Sequence, residues 1–142
     1  MVKYKSIYII GSLKNIKVPE LANNVRKLGI EAFDDWYSPG PDTDDYWKVH
    51  EQLRGRSYKE ALNGWHAKDV FEFDKKHLDR CDAAVLILPA GKSGHLELGY
   101  TVGRNKPGWI ILDNSDRWDI MYQFATDVFN NENEFLEMLK NG

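Results

Sequence analysis

Residues Ala83–Pro89 read AAVLILP, six apolar residues in a row closed by a proline. Hydrophobicity that is continuous rather than alternating marks a strand covered on both faces, as in a parallel sheet. A small-residue stretch and a helical segment, from about Gly94 to Gly103, follow it. GWIILD at Gly108–Asp113 then supplies a second buried run. Strand, helix and strand in that order form a parallel crossover unit. Toward the N-terminus the alternation continues. Lys5–Ile10 is an apolar run closed by Gly11-Ser12, and Val18, Leu21, Ala22, Val25 and Leu28 form a helical stripe that Gly29 can terminate. Ile30–Phe33 reads as another strand. The segment DDWYSPGPDTDDYW, Asp34–Trp47, is expected to be a long loop because Pro39, Gly40 and Pro41 interrupt its middle. Ser57–Arg80 has mixed helical patterning, Ala125–Phe129 reads as a short edge strand, and Phe135, Leu136 and Leu139 mark a last helix. The predicted fold is α/β, a three-layer sandwich with a mostly parallel five-stranded sheet of the flavodoxin or Rossmann kind.

The whole-chain properties agree with that fold and narrow its partners. At 142 residues, with 42% hydrophobic and 29% charged residues, the chain is expected to form one domain over residues 1–142. A net charge of −3 argues against a nucleic acid as partner, since binding a phosphate backbone calls for a basic excess. Cys81 is the only cysteine and cannot form an internal disulfide. The run Ile7–Ile10 is too short for a signal peptide or a membrane span. The cytoplasm is the expected compartment, with no membrane partner.

Ligands of parallel α/β sheets bind beyond the carboxyl ends of the strands. Three loops qualify here: Gly11–Asn15, Asp34–Trp47 and Pro89–His95. Glu97, in SGHLELGY (Ser93–Tyr100), sits at the edge of the third. One reading makes it a first-turn acid gaining about 0.3–1 kcal/mol from the helix dipole, with Gly94 as the cap that would place it at the third helical position. The other makes it a nucleophile, which must be ionised at neutral pH. Both stand at this point.

SIYIIGS at the first strand, FDKKHLDRCDAAVLILP in the middle, and SGHLELGY followed by GRNKPGWIILD resemble, in order and spacing across residues 6–113, the nucleoside 2-deoxyribosyltransferase family. The likeness extends to that family's nucleoside 5'-monophosphate N-glycosidase relatives. The resemblance implies cleavage of an N-glycosidic bond with Glu97 attacking the anomeric carbon. It implies that Tyr8 positions the nucleophile. It implies too that Asp74 is a second catalytic carboxylate, protonating the leaving base or holding a sugar hydroxyl. Read without the family, Asp74 is a solvated helix residue paired with Lys75 or His77. Asp82, opening the strand, is expected to be structural.

One departure from the family pattern bears on the acceptor. The transferases carry an aspartate in the loop before the glutamate, and PAGKSGH here has none. This favours the hydrolase relatives, in which a serine of this loop holds a 5'-phosphate, and makes Ser93 the candidate. Lys92, Gly94 and His95 accompany it, and Gly11 and Ser12 are expected to contribute from the first loop. Trp36, with Asp34 or Asp35, belongs either to a lid that stacks on a base or, like Tyr37, Tyr46 and Trp47, to rings covering the core or a subunit contact. Arg54 and Arg56 read as a phosphate clamp or as a solvated helix start. No metal or other cofactor is called for, the four histidines lacking metal-ligand spacing. The expected partners are a small nucleoside or nucleotide and further copies of the chain. A nucleotide sensor without turnover and an NAD-cleaving glutamate enzyme of the Toll/interleukin-receptor type are the alternatives.

Overall fold

The computed structural model describes residues 3–142. Five strands, β1 (Ser6–Ile10), β2 (Glu31–Phe33), β3 (Ala83–Ile87), β4 (Gly108–Ile111) and β5 (Asp127–Phe129), form one sheet in the order β2-β1-β3-β4-β5. All four pairings are parallel. Every residue of β1, β3 and β4 is buried, as unbroken apolar runs require when both faces are covered.

The period of two within β1 divides the core into its two faces. Ile7 and Ile9 pack with Val85, Ile87, Trp109 and Ile111 beneath the apolar stripe Val18, Leu21 and Val25 of α1 (Lys17–Arg26) and beneath Phe135 and Leu139 of α6 (Glu132–Asn141). Tyr8 and Ile10 face the other way, with Ala84, Leu86 and Ile110, toward Leu78 of α4 (Trp65–Arg80) and Leu98 of α5 (Lys92–Gly103). Each fully buried aliphatic side chain contributes about 1.5–3 kcal/mol, so both helical layers are held mainly by these stripes. Helix α1 lies close to the sheet because Gly11 lets it: a Cβ there would stand 2.7 Å from Val18 Cγ2.

Two expectations need correction, and the helical patterning from Ser57 resolves into two helices. Asp34–Trp47 is not one long loop: Asp35–Tyr37 forms a 3-10 turn and α2 (Thr43–Leu53) begins four residues before Trp47. Pro39 and Pro41 confine the irregular backbone to their own neighbourhood. Asp44 and Asp45 in the first turn of α2 complement its dipole. The segment from Ser57 divides into α3 (Tyr58–Leu62), opened by a Ser57–Glu60 capping box, and α4, which starts after Gly64. Finally, α5 starts at Lys92 with Gly91 as its cap, not at Gly94. Gly94 lies inside the helix, where a Cβ would stand 3.0 Å from Leu86 Cδ1 and 3.2 Å from Ile10 Cγ2. Its lack of a side chain seats α5 on the sheet. Glu97 is therefore in the second turn, and the first-turn dipole reading does not apply to it.

Candidate active site

Tyr8 and Glu97 meet because two packing rules converge on them. The pleat of β1 turns Tyr8 toward the α4 and α5 layer, and α5 is pressed to that face through Gly94 and Leu98. The Tyr8 hydroxyl donates to Glu97 Oε2 at 3.0 Å, across 89 residues of sequence. Asp74 stands one helical turn before Leu78, the residue that anchors α4, so the two share a face of the helix. Its charge acts on both Tyr8 and Glu97. It takes part in neither expected surface pair: Lys75 binds Asp79, and His77 stacks on Phe33 with ring centres 4.0 Å apart.

Aromatic rings wall the group. Phe33 lies 5.1 Å from the Tyr8 ring and 6.0 Å from Phe73, which itself meets His77 edge-on. In these surroundings the ionised form of a carboxyl is disfavoured. Burial pushes Glu97 up to about 7, the Tyr8 hydrogen bond opposing the rise and the Asp74 charge adding to it. Burial likewise raises Asp74 to about 6. Burial, followed by the Glu97 and Asp74 charges, holds the Tyr8 phenol far above its ordinary range, so it remains a donor. Glu97 thus titrates near neutrality, in contrast to the plainly ionised glutamate expected. Two carboxyls that both titrate near neutral pH, held by a fixed donor, can divide a nucleophilic and an acid–base role between them.

The other site residues fall into two sets. Lys92 and Ser93 are exposed in the first turn of α5, where the N-H groups of residues 92–94 have no partner within the helix. His95 is engaged by its own chain. Its Nδ1 lies 2.8 Å from the Gly91 carbonyl and its Nε2 2.8 Å from the Tyr122 hydroxyl. The carbonyl can only accept, so Nδ1 carries the proton and Tyr122 donates to Nε2. Ser12 Oγ accepts from the Lys14 amide and closes its own turn. Asp34 is paired with Arg26 at 2.6 Å, whereas Asp35 is exposed. The Trp36 indole donates to the Ile9 carbonyl at 2.8 Å, and with Tyr37 it packs against the core. Asp82 has a structural place: its Oδ2 accepts from the Lys5 and Ser6 amides and ties the start of β1 to β3. Among the described residues no three His, Cys, Asp or Glu side chains could together hold a metal ion, and no helix is long and apolar enough to cross a membrane.

Two contributors were not foreseen. Asn15, 5% exposed, donates from Nδ2 to the Ile87 and Pro89 carbonyls at 3.2 and 3.3 Å while its Oδ1 accepts from the Lys17 amide. One side chain thereby joins the first loop, the start of α1 and the loop that leads to Glu97. Tyr122 is the other, and only its position in an aromatic-rich segment marked it.

No family model matches the sequence, and no curated protein does. Solved structures do match its fold. The CMP N-glycosidase BcmB of Clostridium botulinum superposes with a TM-score of 0.57 at 14% identity, over 96% of this chain and 99% of that one. A 2-deoxyribosyltransferase of Bacillus psychrosaccharolyticus gives 0.62 at 16% identity, over 92% and 90%. A conserved protein of Enterococcus faecalis V583 gives 0.66 at 14% identity, over 97% and 98%. The fold is therefore theirs throughout its length: a flavodoxin-like α/β sandwich on an all-parallel five-stranded sheet.

Proposed function

We propose that the chain is an enzyme of the nucleoside 2-deoxyribosyltransferase-like group that cleaves the N-glycosidic bond of a nucleoside 5'-monophosphate, with water as the acceptor. The observation that carries this reading is the Tyr8–Glu97 hydrogen bond, within reach of the Asp74 charge, on the sheet face that α4 and α5 cover. The fold shared with a CMP N-glycosidase and a 2-deoxyribosyltransferase supports it, as do the motifs running from SIYIIGS to GRNKPGWIILD.

In the proposed reaction ionised Glu97 attacks C1' and an ester bond forms there as the bond to the base breaks. The bonding pair leaves with the base nitrogen, which takes a proton from Asp74. Water then attacks C1', gives its proton back to Asp74, and frees Glu97 and the sugar. The Tyr8 hydroxyl holds the attacking carboxylate in one orientation throughout. The absence of a carboxylate from PAGKSGH favours water over a second base. The free N-H groups at the start of α5, with Ser93 and Lys92, suit a 5'-phosphate.

Incubation with a panel of nucleosides, their 5'-monophosphates and NAD, scored by chromatography for released base, tests the reading. Base should be freed from a monophosphate by the wild type and not by Glu97→Ala. Joint replacement of Lys92 and Ser93 by Ala should remove the preference for the monophosphate and leave cleavage. Turnover by Glu97→Ala, or equal handling of nucleoside and monophosphate by the wild type, counts against the nucleophile and the phosphate site respectively.

A further inference from the structure

Arg54 and Arg56 do not approach the Tyr8–Asp74–Glu97 group. They line a separate cavity of about 350 Å³ between α2, the turn that follows it and the start of α4. None of its lining residues belongs to the candidate active site. His66, at its edge, precedes Asp74 on α4 by eight residues, about 12 Å of helix.

The chemistry of this cavity is one-sided. Tyr46, Trp47 and Trp65 supply flat walls, and Tyr46 and Trp65 are 72% and 76% exposed. Its polar groups are mainly donors: Arg54, Arg56, His50 and His66. Its one carboxylate, Glu51, is 4% exposed and already accepts from Arg56 Nη1 at 2.9 Å. A guanidinium carries five N-H donors, so this pair fixes the Arg56 plane and leaves further donors for a ligand. The Trp47 indole N-H is buried and, among the described residues, the only buried side-chain nitrogen or oxygen without a hydrogen-bond partner. Rings to stack on, with donors in excess of acceptors, select a planar ligand that carries negative charge.

We propose that this cavity is a second binding site, for a small aromatic anion of the nucleotide kind, whose ring lies against Trp47 and Trp65 and whose anionic group is held by Arg54 and Arg56. The site does not depend on Glu97 and stands whether or not the chain cleaves glycosidic bonds.

The test uses the indole N-H resonances of the 15N-labelled full chain, carrying Glu97→Ala to exclude turnover and assigned by single Trp→Phe variants. Trp47 and Trp65 report this cavity, and Trp36 reports the candidate active site. Adenosine 5'-monophosphate should shift Trp47 and Trp65 together, with one midpoint. Adenosine, which lacks the charge, and inorganic phosphate, which lacks the ring, should need at least tenfold more for the same shift. Arg54→Gln removes an exposed side chain that has no side-chain hydrogen bond or ion pair among the described residues. It should raise the Trp47 and Trp65 midpoint about tenfold or more and leave any Trp36 midpoint unchanged. Trp65→Ala should weaken the Trp47 response in the same sense. The proposal is overturned if Trp47 and Trp65 do not respond to the monophosphate, or if Arg54→Gln leaves their midpoint in place. It is overturned too if Arg54→Gln lowers the mass in light scattering while nucleotide shifts no resonance of the cavity, since the pocket would then be a seat for another subunit.

Discussion

Replacing Glu97 by Gln should make the protein more stable at pH 8 and leave its stability at pH 4 nearly unchanged. The carboxyl is displaced from an ordinary 4.5 to about 7 in the folded chain. The native state therefore binds more protons than the unfolded state across that interval, and the stability of the wild type falls as pH rises through it. Below about 4.5 the carboxyl is protonated in both states and contributes nothing to the difference. Above about 7 the full penalty is present, and at 1.36 kcal/mol per pH unit it amounts to about 3 kcal/mol. Glutamine has nearly the same shape, keeps an oxygen for the Tyr8 hydroxyl and never ionises. Urea unfolding at the two pH values isolates the effect. With a slope near 2 kcal/mol per M, the midpoint should rise by about 1.5 M at pH 8. An equal gain at both pH values would mean that packing, not ionisation, separates the variants. A loss at pH 8 would mean that the ionised carboxylate is stabilised where it lies, contrary to the burial argument.

The same pair of titrations should govern the reaction: the step needs Glu97 ionised while Asp74 keeps its proton, so kcat/KM should be bell-shaped between about 6 and about 7, with the alkaline limb set by the higher pKa, that of Glu97, read from initial rates between pH 5 and 9. Tyr8→Phe removes the bond that holds the Glu97 pKa down and should move this limb to higher pH. An unmoved limb would detach Tyr8 from the titrating group. Asp74→Asn should lower kcat by about 10²- to 10⁴-fold with little change in KM, because proton donation belongs to the transition state, whereas a rise in KM alone would make Asp74 a binding residue. Large apolar side chains stand in water, among them Tyr58, Phe71 and Leu96, and Trp118 is 94% exposed. Light scattering at micromolar concentration should accordingly give a homo-oligomer, and a monomeric mass would remove that reading.

The parallel sheet was legible because its strands are written as unbroken apolar runs. AAVLIL and GWIIL leave no polar side chain to face water, and the helical stripe from Val18 to Val25 shows which side α1 buries. Helix starts were harder to read where no Ser, Thr, Asp or Asn cap bonds the first turn. Gly91 caps α5 without a side chain, and Gly94, three residues on, looks like a cap but is a packing residue against Leu86 and Ile10. Asp42 precedes α2 without a cap hydrogen bond, so the prolines beside it masked the helix. The participants of the candidate site were legible through motif order. Their electrostatics were not, because the burial and the Asp74 charge that raise the Glu97 pKa, and the Tyr8 bond that opposes them, come from elements distant in sequence and have no local trace. Asp34, read as a contact for a base, is taken by Arg26, a partner eight residues away that only the turn from α1 into β2 brings near.

The corrected helix start also bears on the proposed monophosphate substrate. With Glu97 in the first turn, the carboxylate and the free N-H groups would share one helix end, and a bound phosphate would meet the carboxylate's charge directly. With α5 beginning at Lys92, Ser93 and Glu97 stand four residues apart, about 6 Å along the axis. The partial positive charge is confined to the first turn, so an anion would be held there by Lys92, Ser93 and Gly94, a turn away from Glu97. One turn deeper, Glu97 accepts from Tyr8 and feels the Asp74 charge, in apolar surroundings that keep its pKa high. The sugar of a 5'-monophosphate has its phosphate at one end and its anomeric carbon at the other. On the proposed reading, a single helix that takes an anion at its tip and carries the nucleophile one turn below is matched to both ends at once. A free nucleoside would occupy only the lower half. This is the physical basis for expecting the monophosphate to be preferred, and for expecting the double Lys92 and Ser93 replacement to act on substrate choice rather than on bond cleavage.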